Sequence, residues 1–187
     1  MIRCVILLIL CCAYLPSLAQ LPDDYFQKLP LSQPDTIHLG FSEEIDKRYG
    51  FRGLRFETPF QQIKGLQYTG SSGPHKLYRK VPENKTLGNC KLDAVLYAFY
   101  KGRLASILVT TSGDDNSVEL IRMLTLAYGE PFHEEESDKW LWEGKKAVAL
   151  FGVNDDGSTS VYISSKIMST QLERDENTRR QRAASGL

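Results

Sequence analysis

Apolar residues follow two rhythms along this chain. Between residues 92 and 165, alternating or continuous runs of Val, Ile, Leu, Tyr and Phe predict strands, interrupted by one stretch of helical period. Residues 92–100 and 104–111 carry the strongest strand pattern. Lys101-Gly102 between them predicts a tight hairpin turn with Gly102 in the left-handed conformation. A helix is predicted from Asn116, which has capping-box spacing to Glu119. Val118, Ile121, Leu124 or Thr125, and Tyr128 mark one face, Leu120 and Ala127 widen it, and Gly129 and Pro131 end it. After an acidic loop, residues 133–138, a second hairpin follows: 139–142, the turn Glu143-Gly144, then 145–153. Asn154-Asp155-Asp156-Gly157 turns the chain into a last strand, 159–165, with Val161 and Ile163 on one face and Ser160 and Tyr162 on the other.

Upstream the pattern is weaker. Pro22, Pro30 and Pro34 make residues 20–48 an irregular leader, in which Ser42-Glu43-Glu44 caps at most a short helical turn. Phe51, Leu54 and Phe56, with Gly53 among them, predict a strand with a bulge. It runs into Thr58-Pro59-Phe60-Gln61, a capping box for a short helix that places Phe60, Ile63 and Leu66 on one face. Residues 70–74 read as turn, and residues 75–81 as a strand with Leu77 and Val81 inward. Residues 169–187 form a charged tail, helical at first if Ile167, Met168 and Leu172 dock, and disordered after Arg179-Arg180-Gln181-Arg182. The order predicts a single α+β domain over residues 49–168, an antiparallel sheet with helices on one face. The match of Tyr100-Lys101-Gly102-Arg103 to Trp142-Glu143-Gly144-Lys145 suggests two helix-plus-three-strand repeats.

The first nineteen residues change the picture. Arg3, the apolar run 5–10 and Pro16-Ser17-Leu18-Ala19 predict a signal peptide cut after Ala19, and hence a secreted or periplasmic protein with no transmembrane span after cleavage. Cleavage removes Cys4, Cys11 and Cys12 and leaves Cys90 alone, so no internal disulfide is expected. The remaining chain, roughly 165 residues, is long enough to bury about 70% of its unfolded surface in one core. Lys+Arg and Asp+Glu are equal at 23 each, and losing Arg3 leaves one unit of excess acid. That balance gives no general attraction to nucleic acid.

The pattern Gly53-Leu54-Arg55-Phe56-Glu57-Thr58-Pro59, then a hairpin, then a helix ending in Tyr128-Gly129-Glu130-Pro131 before an aromatic strand, resembles uncharacterised exported bacterial proteins. The twofold helix-plus-hairpin layout over residues 50–166 is similar to that of the β-lactamase-inhibitor protein and of small outer-membrane assembly lipoproteins. The resemblance implies binding to other proteins through a sheet face or loops.

Reactive constellations are sparse. Cys90, His75 and Asp93 are the residue types of a nucleophilic triad. His133-Glu134-Glu135-Glu136-Ser137-Asp138 begins like a zinc-protease helix but has Ser137 where the second His belongs. Its carboxylates could hold calcium weakly. Asn154-Asp155-Asp156-Gly157 fails the EF-hand pattern and reads as a turn. Asn84-Lys85-Thr86 is a glycosylation sequon in a loop. No cofactor or metal motif is present in the sequence, and the Arg-rich end reads as solvated. The aromatics remain: Trp140, Trp142, Tyr97, Phe99, Tyr100 and Tyr162 lie on strands apolar on both faces. They are the expected contact residues of a non-catalytic protein that binds another protein or a cell-envelope component. An exported hydrolase using Cys90, His75 or His133, and a weak calcium module, are the alternatives.

Overall fold

β-branched and aromatic runs build most of this molecule, which is described here by a computed structural model over residues 41–135, 139–154 and 156–186. The expected signal peptide, the leader to residue 40, residues 136–138 of the acidic loop and Asp155 lie outside the described residues. The elements are α1 (Glu43–Arg48), β1 (Gly50–Phe51), β2 (Leu54–Arg55), a 3-10 turn (Phe60–Gln62), β3 (Leu66–Ser72), β4 (His75–Lys80), β5 (Thr86–Leu87) and β6 (Cys90–Lys91). Then come β7 (Ala94–Tyr100), β8 (Arg103–Ser112), α2 (Asp114–Tyr128), β9 (Phe132–Glu134), β10 (Lys139–Glu143), β11 (Ala147–Val153), β12 (Ser158–Ser165) and α3 (Lys166–Ala184). Among the described residues no helix is long and apolar enough to cross a membrane.

The fold is α+β. Eight strands form one antiparallel sheet in the order β3-β4-β7-β8-β12-β11-β10-β9. Each half is a meander of four strands, and the last strands of the two meanders, β8 and β12, pair at the centre, with Ile107 opposite Ile163. A helical element precedes each meander: the single 3-10 turn in the first half, α2 in the second. The turn equivalent to Lys101-Gly102 is therefore the one at residues 154–157, not Glu143-Gly144. The expected repeat match joins two turns at different places in the layout.

The core lies between the sheet and α1 with α2. From the strands, Val95, Tyr97, Phe99, Ile107, Val109, Trp142, Ala149, Phe151, Val161 and Ile163 point into it, and Leu120, Leu124 and Tyr128 meet them from α2. α2 starts at Asp114 rather than Asn116, because Asn116 uses its side chain elsewhere: Oδ1 accepts from the Lys91 N–H at 3.0 Å and Nδ2 donates to the Ser112 carbonyl at 2.9 Å. Its buried stripe is Leu120, Leu124 and Tyr128, with Ile121 and Ala127 packed beside it; the expected face keeps Leu124 and Tyr128 but loses Val118, which is 65% exposed.

α1 replaces the end of the expected leader. Ser42 Oγ accepts from Ile45 N–H, Ile45 is fully buried, and the Asp46 carboxylate accepts from the backbone N–H groups of Lys145, Lys146 and Ala147 at 2.6, 2.8 and 3.0 Å. A Cβ on Gly144 would stand 2.3 Å from Asp46 Oδ1, so only glycine fits there. The expected helix from Thr58 is one 3-10 turn. Its backbone is claimed by the β7–β8 hairpin: Phe60 N–H donates to the Gly102 carbonyl and Leu104 N–H to the Thr58 carbonyl. The expected bulged strand at 51–56 is the tight β1–β2 ribbon.

α3 runs unbroken to Ala184, past the expected disorder, and packs on the opposite sheet face. Met168 and Leu172 meet Tyr100 and Ala105, and Asp175 Oδ2 accepts from Tyr100 Oη at 2.7 Å and pairs with Lys101 Nζ at 2.6 Å. Leu96, Leu108 and Tyr162 are buried on this face too, so β7, β8 and β12 are covered on both sides.

Candidate functional site

The six expected contact aromatics do not form one exposed platform. Trp140, Trp142, Tyr97 and Phe99 face α1 and α2, while Tyr100 and Tyr162 lie on the other face. Trp142 is fully buried, with its indole N–H donating to the Gly129 carbonyl at 2.7 Å and its ring 6.4 Å from that of Tyr128. Tyr100 is occupied by Asp175, and burial with that bond pushes its phenol up to about 12. Tyr162 packs with Leu77 and Ala98. Trp140 is half-buried, stacked on His133 at 4.3 Å and edge-on to Phe151 at 5.1 Å. The physical reason is general: where other elements pack over a sheet face, the aromatics on it become core.

The catalytic alternative fares no better. Cys90 is buried in the helix-side core, with Sγ 3.8 Å from Thr111 Oγ1, and burial pushes its thiol up. His75 sits on the opposite face against the Tyr100 ring, with burial lowering its pKa, and His133 stands on edge strand β9. Asp93 accepts from Ser112 Oγ. His75 is therefore apart from Cys90 and Asp93, and among the described residues no three His, Cys, Asp or Glu side chains come together as a metal site would need. The Asp156 carboxylate accepts from Ser158 N–H at 2.9 Å and Oγ–H at 2.6 Å, closing the turn on itself.

An aromatic surface does exist, at the β3 end of the sheet. β3 is a seven-residue edge strand where the pattern predicts the end of a short helix at Leu66 and a turn from Gly70. Tyr68 on it is 59% exposed, and its ring lies 5.6 Å from Tyr78 on β4 at 70°. Tyr78 in turn meets Phe60 at 4.8 Å and Phe99 at 5.3 Å, and Phe60 meets Phe99 at 5.6 Å. Phe99 and Tyr97 anchor this ladder in the core. Val81, expected inward, is 43% exposed beside it, after the end of β4. Nothing in the sequence singles out Tyr68 except its spacing from Leu66 and the Gly73-Pro74 turn, which together mark a hairpin with residues 75–80.

Beside the ladder is a cleft of about 470 Å³ lined by Arg52, Leu54, Lys80, Pro82, Leu87 and Tyr97, among others. One half-buried network supports it. Glu83 accepts from Tyr97 Oη at 2.9 Å through Oε2 and from Arg52 at 3.4 Å through Oε1. Arg52 also donates to the Asn84 and Thr86 carbonyls. Asn84 Oδ1 accepts from Thr86 N–H and Oγ1–H, so the sequon forms a closed local turn. Burial, and then the bond to Glu83, raise the Tyr97 pKa, keeping the phenol a donor. Compared with known proteins, this chain finds no counterpart: no protein-family model, no curated protein and no solved structure matches it.

Proposed function

We propose that this chain is a non-catalytic exported protein, secreted or periplasmic, that binds another protein or an envelope component through the β3 edge. One observation carries the reading: Tyr68 stands exposed on an edge strand and is braced through Tyr78 by a ladder of rings anchored in the core. A rigid aromatic loses little freedom on contact, which favours it as an anchor. The edge offers a row of open backbone donors and acceptors beside it, and residues 66–72 carry no charge and no proline to repel a strand. The partner on this reading contributes an extended segment that adds to β3 and places an apolar side chain on Tyr68. The other edge, β9, has only three residues, one of them Glu134.

Photo-crosslinking in the producing cell tests this. A photoreactive residue replaces Tyr68 in one chain and Leu126, even more exposed on α2, in another. The expected result is a discrete heavy adduct from position 68 and none from 126. Equal adducts from both, or none from 68, would overturn the reading.

A further inference from the structure

The cleft next to the ladder has a charge balance of its own. Arg52, Lys80 and Glu83 line it, which leaves one positive charge. Arg52 is spent on Glu83 and two carbonyls, and both oxygens of Glu83 are taken by Arg52 and Tyr97. Lys80 differs. It is half-buried, it lines the cleft, and among the described residues its ammonium has no ion-pair or hydrogen-bond partner. An uncommitted cation lining a cleft is a ready partner for an anion, through charge-assisted hydrogen bonds. Of the remaining lining, Leu54, Pro82, Leu87 and Tyr97 supply apolar surface, while the polar Asn84 and Thr86 side chains bond each other.

We propose that this cleft binds a carboxylate carrying a small apolar body, with its oxygens on Lys80 and its carbons against Leu54, Pro82 and Leu87. A carboxylate is favoured over a phosphate because only one cation is uncommitted; a second negative charge would meet the Glu83 carboxylate instead. The size suits the assignment, since small-molecule sites typically run from about 300 to 1,000 Å³. The walls are preorganised, as Arg52 ties the β1–β2 turn to residues 84 and 86 before any ligand arrives. The carboxylate comes either from a free small acid or from the C-terminus of a peptide. This inference goes beyond the binding role of the β3 edge and does not depend on it.

The test uses amide chemical shifts of the full chain with three probes: hexanoate, acetyl-Ala-Ala-Leu with a free carboxylate, and the same tripeptide as its amide. At least one carboxylate probe should give saturable shifts at residues 83–88 and at Tyr97, and the tripeptide amide should give none. Saturation by hexanoate alone assigns a free acid; saturation by the tripeptide assigns a peptide C-terminus. Lys80→Met should weaken the effective probe about tenfold or more, while Lys80→Arg retains it to within about threefold. The variant spectra away from the cleft report that the fold is intact. Tyr68→Ser should leave the shifts unchanged, which separates this site from the β3 edge. Absence of saturable shifts with both carboxylates up to about 10 mM, equal binding of the amide, or an unaltered affinity in Lys80→Met would overturn the proposal.

Discussion

One row of side chains crosses the helix side of the sheet from Tyr68 to Trp142, by way of Tyr78, Tyr97, Ile107, Ile163 and Ala149. Its two ends have similar chemistry and opposite fates. Tyr68 is 59% exposed, and Trp142 is not exposed at all. At the Trp142 end, α1 and α2 close over the sheet, Asp46 holds the β10–β11 turn, and Tyr128 Oη reaches the Gly50 carbonyl at 3.0 Å. At the Tyr68 end there is only a 3-10 turn, because the β7–β8 hairpin uses the backbone groups that a helix there would need. The same row thus serves as core where a helix covers it and as surface where none does. An aromatic strand residue is a candidate for binding only once the elements over it are known.

The comparison can be broken most forcefully at the buried end. Trp142→Ala should lower stability by about 3–5 kcal/mol, read from urea unfolding, because it opens a cavity and strands the Gly129 carbonyl. Asp46→Ala should cost about 2 kcal/mol in the same assay, since three backbone N–H groups lose their acceptor. A cost below about half a kcal/mol for either would mean that the helix-covered end is not the scaffold.

A smaller effect is expected at α3. The bond from Lys101, then that from Tyr100, hold the Asp175 pKa below its ordinary value. A depressed carboxyl contributes stability that is complete above the unfolded pKa, about 3.9, and is lost as pH falls through the folded value. Amide protection factors in residues 170–184 should therefore be high at pH 6, and should fall in acid below about pH 4. In Asp175→Asn they should already be low at pH 6. Equal exchange in the two proteins at pH 6 would remove Asp175 as an anchor. The smallest stability change belongs to the exposed end: Tyr68→Ser should alter unfolding by less than about 0.5 kcal/mol while abolishing contact with the partner.

Legibility in the sequence followed the range of the interactions involved. The hairpin β7–β8 and strands β11 and β12 are readable because their apolar runs are long and their turns carry Gly or Asn-Asp chemistry. β3 was not, because Leu66-Gln67-Tyr68-Thr69-Gly70-Ser71-Ser72 is polar and carries the register shift between Tyr68 and Gly70. The Ser42 cap was visible, yet the weight of α1 rests on contacts of Asp46 about a hundred residues away, which no local pattern encodes. Thr58-Pro59 is a sound helix start, overridden by distant backbone partners at Gly102 and Leu104. Of the six aromatics chosen from strand composition, only Tyr97 lines the cleft, because composition finds apolar strands that other elements cover, whereas the surface lies on the polar edge strand β3.

Hydroxyl-radical footprinting of the chain, alone and with solubilised envelope, tests the central claim most directly. The account predicts strong oxidation of Tyr68 in the isolated chain, its protection when envelope is added, and no oxidation of Trp142 or Tyr128 in either sample. Unchanged labelling of Tyr68 with envelope present, or protection appearing instead at Val118 and Leu126 on α2, would contradict it.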